Sequence, residues 1–256
     1  MARNQLASVK KYGLDRVFRG RRIGSAHPKE LFESSFDIVT DESQGLFADA
    51  ECVTVVFEAM QRLSLNQGQM LQLTFNHSDL LRALFLHSGV PEGQLDAALD
   101  WLWEVRVGSF GKAPARKMLM DICSVAEHDY DFLQKVLALE GPLPELNGHL
   151  RQVMRKKGLA GSLAKRAVQD CQTFVNLLDK MGCSFPTVIS LGLTDKLVRS
   201  GIVFHVIQPL PRQSAKSARS EIVAVGGRYS ALVQHFVVKR AANQGNRHLF
   251  SLSILS

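Results

Sequence analysis

The spacing of apolar residues changes along the chain, and each change predicts a different kind of element. Residues 16–19 and 31–39 are β-prone and flank a basic loop, which predicts two strands joined by that loop. From 48 to 63 the apolar positions recur at three- and four-residue steps, as they do on one face of an amphipathic helix. Residues 70–75 alternate between apolar and polar positions and predict a short strand. The chain therefore begins as a strand pair, a helix and a strand.

Between residues 76 and 183 the pattern becomes almost entirely helical. Asn76 or Ser78 is predicted to cap a first helix, which ends near residue 87. The glycine and prolines of 140–147 predict a turn or linker. Helical spacing also recurs in four later segments, 91–105, 132–139, 150–154 and 162–181.

Strands return in the last third of the chain. The last of them leads into paired glycines, which let the backbone approach a neighbouring group closely, and then into a predicted helix start at 231–236. A polar connector over 212–220 separates it from the strand before. The predicted strands are 186–191, 201–208 and 221–225.

This order of elements predicts the domain organisation. Residues 1–75 and 184–236 would form a sheet-based core, and 76–183 a helical insertion into it. The tail, 237–256, shows no periodic element and is expected to be disordered.

Composition limits the class of protein. With 256 residues, 46% of them hydrophobic, the chain can bury the core of one large domain or two small ones. It contains no apolar run long enough to cross a bilayer, and its N-terminus lacks the pattern of a secretory signal. We therefore predict a soluble cytoplasmic protein without a membrane association.

The cysteines and histidines predict neither a metal centre nor another cofactor. His77 and His87 lie ten residues apart, at the two ends of one predicted helix, so we do not expect them to share a metal ion. The cysteines are widely separated and include no C-x-x-C pair. Reduced, mostly buried thiols are predicted for all four, Cys52, Cys123, Cys171 and Cys183.

The charge distribution favours a polyanionic partner. The formal net charge is +7 and the isoelectric point is about 9.4. Basic residues cluster at the start, near 151–166 and late in the chain, and acidic residues concentrate elsewhere. Such clusters suit phosphate binding because neutralising phosphates releases condensed counterions. They are equally typical of solvated surface faces.

Two segments resemble the sequence signatures of one enzyme family. Residues 17–40, V-F-R-G-R-R-I-G-S-A-H-P-K-E-L-F-E-S-S-F-D-I-V-T, resemble motif 2 of class II aminoacyl-tRNA synthetases of the histidyl type. Residues 221–233, E-I-V-A-V-G-G-R-Y-S-A-L-V, resemble the G-G-R-Y signature of the same synthetases, in the correct order. The stretches N-H-S-D-L-L-R-A-L-F-L-H-S-G-V-P-E and V-I-S-L-G-L are similar to the histidyl-tRNA-synthetase-like regulatory domain of amino-acid-starvation kinases. Those kinases phosphorylate the α subunit of eukaryotic translation initiation factor two.

The resemblance covers about residues 6–236 and implies a fold and a function. The fold would be α+β, a partial class II synthetase-like antiparallel sheet with a helical insertion. The function would be that of a degenerate synthetase that binds uncharged tRNA and regulates a neighbouring kinase domain.

The resemblance also implies site residues. Phe18 and Arg19 match the aromatic-arginine pair of motif 2, which the family associates with tRNA binding. Loop position and charge add three candidates that can pair with phosphate or remain ordinary solvated cations, Arg21, Arg22 and Lys29. The second signature comprises Gly226, Gly227, Arg228 and Tyr229.

Departures from the synthetase pattern argue against catalysis. Arg21 stands where synthetases place a glutamate, and a cation cannot accept the hydrogen bond that an adenine amino group would donate. The T-D-K-L-V-R of 194–199 occupies the place of an R-G-L-D-Y-Y run and leaves only a displaced arginine, Arg199. The returning acid of motif 2 is Asp37, one methylene shorter than glutamate. We therefore expect no enzymatic activity from this chain.

Two other interpretations stay open. In the first, the chain is a fragment of an active histidyl-tRNA synthetase. In the second, it is only a dimerisation or scaffold module. Motif 1, which forms much of the class II dimer interface, motif 3 and kinase signatures do not appear in the sequence. We therefore expect a fragment, and a homodimer is the assembly that the resemblance allows.

Overall fold

The computed structural model describes residues 9–19, 29–63, 71–108, 112–121, 125–209, 220–230 and 248–255. The chain divides into two compact units. Unit one comprises Met1–Leu73, Leu177–Pro186 and Phe204–Ser256, and unit two comprises Thr74–Asn176 and Thr187–Val203.

The described residues form strands and helices in an α+β arrangement, as the resemblance implied. The strands are β1 (Val9–Arg19), β2 (Lys29–Thr40), β3 (Gln72–His77), β4 (Glu140–Gly141), β5 (Thr187–Ser190), β6 (Ile202–Pro209), β7 (Ser220–Arg228) and β8 (His248–Leu255). The helices are α1 (Gly45–Arg62), α2 (Ser78–His87), α3 (Leu95–Arg106), α4 (Lys112–Asp121), α5 (Glu127–Leu137), α6 (Leu143–Met154) and α7 (Leu159–Lys180).

Unit one is a largely antiparallel sheet with α1 against it. Its strands lie in the order β1-β2-β8-β7-β6, and β8 pairs antiparallel with both β2 and β7. The apolar face of α1 buries Val53, Val56 and Phe57, the last with its ring edge-on to Phe185 at a centroid distance of 4.9 Å. Each such side chain contributes about 1.5–3 kcal/mol of transfer free energy, so α1 is held by its packing.

Unit two combines the strands β3, β5 and β4, in that order, with helices α2 to α7. Its core contains Phe75 and Phe174, whose rings lie 5.1 Å apart. The buried Asn76 side chain donates hydrogen bonds to the carbonyls of Leu191 and Leu193, at 3.1 and 3.0 Å. These bonds join β3 to the turn after β5, so a polar side chain is part of the core.

Three predicted features differ in the structure. The cap of α2 is His77, whose Nδ1 accepts from the Asp79 amide at 3.1 Å, whereas Asn76 and Ser78 were predicted. The predicted linker 140–147 contains β4 and the start of α6, since a proline is tolerated in the first helical turn. Lys29 begins β2 and does not belong to the loop.

The tail also differs from its prediction. We expected disorder over 237–256, and the structure places a strand at His248–Leu255 within the sheet of unit one. Phe250, Leu252 and Ile254 alternate with Ser251 and Ser253, which is the strand pattern. The segment therefore carried a local signal that the sequence interpretation overlooked. The helix start predicted at 231–236 lies outside the described residues.

Candidate nucleic-acid interface and signature segment

The hairpin of β1 and β2 carries an exposed row of aromatic and apolar side chains. Successive strand residues point to opposite faces, so Tyr12, Leu14, Arg16 and Phe18 share one face of β1. Their relative exposures include 86% for Tyr12, 68% for Leu14 and 64% for Phe18. An apolar row this exposed is typical of an interaction surface.

A cation lies among these rings. Arg16 is opposite Phe32 in the β1–β2 register, and its guanidinium carbon lies 5.9 Å from the centroid of that ring. An Arg16 nitrogen also lies 3.3 Å from a carboxylate oxygen of Glu30. Both members of this ion pair are substantially exposed, so it costs little to exchange Glu30 for another anion. We call Tyr12, Arg16, Phe18 and Phe32 the hairpin face.

Such a face has a recognisable chemistry. Aromatic rings stack on bases regardless of sequence, because every base has a π-face. Arginine pairs with phosphate and also stacks on rings. The hairpin face therefore offers both contacts that single-stranded nucleic acid requires.

The structure places the predicted motif 2 residues unevenly. Phe18 belongs to the hairpin face. Arg19 and Lys29 form the last register pair of the hairpin, next to its connecting loop. Arg21 and Arg22 lie outside the described residues. The sequence interpretation missed the other members of the face, although their two-residue spacing was visible.

The G-G-R-Y signature lies at the end of β7. Gly226 and Gly227 pair with Leu252 and Ser251 of β8. Arg228 is the next residue, and its Nη2 donates a hydrogen bond to Oδ2 of Asp49 at 2.5 Å. Asp49 belongs to α1 and its side chain is buried.

A glycine makes room for this arginine. A Cβ added to Gly45, at the start of α1, would lie 2.8 Å from Arg228 Nη2. The guanidinium thus lies against the start of α1 at Gly45, where a larger residue would clash with it. The signature arginine is therefore part of the packing between β7 and α1.

Tyr229 connects the two signatures. Its hydroxyl donates to Oδ1 of Asp37, the returning acid of motif 2, at 2.7 Å. Lys10 of β1 forms an ion pair with Glu51 of α1. Asp37 and Asp49 are thus held by Tyr229 and Arg228 respectively.

The buried thiol of Cys52 in α1 lies near several carboxylates. Burial raises the pKa of Cys52 well above its ordinary value, and the negative charges of Asp49, Glu51 and Asp37 raise it further. Lys10 opposes the shift. Cys171 and Cys183 are likewise free and buried, as predicted, and Cys123 lies outside the described residues.

Other predicted positions have structural partners. Arg199 forms an ion pair with Asp100 of α3. His77 caps α2 through Nδ1, and its Nε2 lies 3.4 Å from Asp170 Oδ2. Within the described part of the chain, no three histidines, cysteines or carboxylates are grouped to hold a metal ion. Among the helices that the structure describes, none has the length and apolar character needed to span a membrane.

These features define a class II aminoacyl-tRNA synthetase-like protein. A family model described as histidyl-tRNA synthetase matches residues 14–245. The chain therefore belongs to the histidyl-tRNA synthetase family.

Particular relatives refine this assignment. The chain is 30% identical over 237 residues to the human eIF-2-alpha kinase GCN2, a match that covers 92% of this chain and 14% of the kinase. It is 25% identical to the cytoplasmic histidine–tRNA ligase of Dictyostelium discoideum, covering 91% of this chain and 46% of the ligase. The structure of histidyl-tRNA synthetase from Nostoc sp. PCC 7120 superposes with a TM-score of 0.71 at 17% identity, covering 99% of this chain and 54% of that one.

The predicted resemblance to the synthetase-like region of starvation kinases is confirmed by these matches. The family match also reaches residue 245, beyond the predicted limit of 236. The chain spans about one seventh of the kinase relative.

Proposed function

We propose that this chain is a non-catalytic, histidyl-tRNA-synthetase-like regulatory domain. It binds uncharged tRNA and controls an attached protein kinase during amino-acid starvation, in the cytoplasm, where a homodimer is the expected assembly. The observation that carries the proposal is the hairpin face, with its exposed aromatic rings around Arg16. The similarity to an eIF-2-alpha kinase supports the regulatory role.

Binding would combine two kinds of contact. Tyr12, Phe18 and Phe32 would stack on the unpaired bases of a tRNA end. Phosphates would be neutralised by Arg16 of the hairpin face, which would exchange Glu30 for a phosphate. The motif 2 match and the loop charge supply the further cations Arg19, Arg21, Arg22 and Lys29. Neither contact distinguishes one base from another, so uncharged tRNAs of different identity should bind alike.

Two observations support the absence of catalysis. Arg21 replaces the carboxylate that would accept from adenine. Asp37, the other acid of motif 2, accepts a hydrogen bond from Tyr229. Neither position offers a free acid for nucleotide recognition, and no cofactor is required for the proposed role.

Binding of fluorescently labelled, uncharged tRNA tests the proposal. Phe18→Ser should weaken binding by about 1–3 kcal/mol, or roughly 5- to 150-fold, for every tRNA tested. Arg16→Gln should reduce the dependence of log affinity on log salt by about one phosphate equivalent. Matched controls on α1 are Phe47→Ser, which removes a phenylalanine that is 48% exposed, and Arg62→Gln. Binding insensitive to salt, or equal losses in the controls, would contradict the proposal.

The similarity to histidine–tRNA ligases favours one alternative, an active synthetase fragment. Histidine-dependent exchange of pyrophosphate into ATP would establish it and exclude the regulatory proposal. The exposed hairpin face favours a second alternative, a dimerisation or scaffold module. Light scattering would then show self-association while tRNA retention stayed at background.

A further inference from the structure

Unit two contains a cavity that the tRNA proposal does not use. Its volume is about 220 Å³. An engineered cavity of about 150 Å³ holds benzene, so this one has room for a larger planar molecule. The walls come from α3, α4, α5 and the turn after β5.

Most of the wall is apolar. On α5, Tyr130, Leu133 and Leu137 recur at helical spacing and line one side. Leu102 and Leu119 line it from α3 and α4. A planar apolar body would therefore be desolvated here, as in most small-molecule sites.

Trp101 supplies an aromatic ring to the cavity wall. The residue lines the cavity and is 7% exposed. Its buried indole N–H has no hydrogen-bond acceptor among the described residues. Because the nitrogen has almost no accessible surface, the ring borders the cavity with its carbon atoms. The indole therefore adds apolar area to the wall and can report on a bound ring.

Arg106 supplies a cation at the same cavity. It lies in the last turn of α3 and forms no ion pair with the described residues around it. Arg106 is exposed when its whole surface is counted, but its guanidinium is partly buried. This burial lowers the pKa of Arg106, and the negative charge of Glu140 opposes the shift. A partly desolvated guanidinium without a carboxylate partner is suited to a planar anion.

A glycine keeps this region open. A Cβ on Gly192 would lie 2.4 Å from the Leu137 carbonyl oxygen and 3.1 Å from Arg106 Nη1. The guanidinium therefore lies over a bare stretch of backbone that forms part of the cavity wall. Any larger residue would displace both the helix end and the cation.

We propose that this cavity binds a small planar apolar acid. The ring system lies among the leucines and the Trp101 ring, and the carboxylate accepts from Arg106. The site is independent of the hairpin face, so it survives even if tRNA does not bind.

Nuclear magnetic resonance with 2-naphthoate tests the site on the full chain. The sequence holds two tryptophans, so the indole N–H signals of Trp101 and Trp103 can be assigned with Trp103→Phe. 2-Naphthoate bound against the Trp101 ring should shift the Trp101 signal in a saturable manner. The neutral 2-naphthylmethanol should bind at least about tenfold more weakly, because a hydrogen bond to a charged group is lost.

Variants separate the proposed contacts. Arg106→Gln should weaken 2-naphthoate about tenfold or more and make it equal to 2-naphthylmethanol. Arg151→Gln, an exposed arginine on α6, should leave both affinities unchanged. Val105→Trp, which fills the cavity, should abolish binding of both compounds. Absence of a Trp101 shift at millimolar 2-naphthoate would overturn the proposal, as would an unchanged preference for the acid in Arg106→Gln.

Discussion

The pair formed by Arg228 and Asp49 should be the most sensitive charged contact of unit one. Its nitrogen and oxygen are 2.5 Å apart, and the side chains are 15% and 2% exposed. Arg228→Met removes the cation and leaves the Asp49 carboxylate buried in α1. We expect this substitution to lower the free energy of unfolding sharply.

The magnitude follows from the burial of the acid. Removing one partner of a buried ion pair costs about 3–5 kcal/mol, because the remaining charge is uncompensated. Typical total stabilities are about 5–15 kcal/mol, so the loss is a large fraction. Replacing both partners, as in Arg228→Met with Asp49→Leu, removes the buried carboxylate together with the arginine. The double variant should therefore be destabilised by at least about 2 kcal/mol less than the sum of the single changes.

Urea unfolding followed by far-ultraviolet circular dichroism measures these energies. Both tryptophans, Trp101 and Trp103, belong to unit two, so their fluorescence supplies a separate probe. A matched control is Arg82→Met, since Arg82 lies 2.7 Å from Asp96, which is 74% exposed. Exposed pairs of this kind contribute about 0–1 kcal/mol.

The result that refutes the reasoning is specific. If Arg228→Met costs no more than the Arg82→Met control, the buried pair contributes nothing beyond a surface one. Strict additivity in the double variant would show that Arg228 and Asp49 are not energetically coupled. Either outcome would show that the ion pair of Arg228 with Asp49 does not stabilise unit one as we expect.

Further predictions concern polar and titratable groups in the interior. Asn76→Leu should destabilise the chain by about 2–4 kcal/mol, since two buried carbonyls lose their donor; urea unfolding measures this, and a loss below 1 kcal/mol contradicts it. Burial and the nearby Lys156 lower the pKa of His87 below 6.5, so the unfolded chain binds more protons and stability should fall as pH drops below 6.5. A His87→Gln variant should lose part of this dependence, whereas the exposed His149→Gln should keep it. Burial raises the pKa of the thiols of Cys52, Cys171 and Cys183, so their alkylation at pH 8 should be slow until urea unfolds the chain. Mass spectrometry can map the labelled sites, and rapid labelling of any of the three in the folded chain would contradict this prediction.

Local pattern predicted much of the fold. The helical spacing that predicted 48–63 and 162–181 corresponds to α1 and α7, each within a few residues. These helices are long and amphipathic, so their period survives in the sequence. Two signatures in the correct order then supplied the fold class, which periodicity alone could not.

Features that depend on distant residues could not be predicted in this way. His77 caps α2 while its other ring nitrogen lies near Asp170, far along the chain. Asn76 was a plausible cap by residue type, yet its amide is used by the carbonyls of Leu191 and Leu193. Residue preference describes what a side chain can do, and tertiary contacts decide which option is used.

The G-G-R-Y signature has a structural role in unit one that does not depend on any reaction. Arg228 is held by Asp49, and Tyr229 by Asp37, so the G-G-R-Y segment contributes to the packing of unit one. Gly45 reinforces this, since any side chain there would meet the arginine. Replacing these residues should therefore cost stability whether or not the chain performs a reaction. Because both contacts lie in the packing of unit one, the signature indicates the fold and does not by itself indicate catalysis.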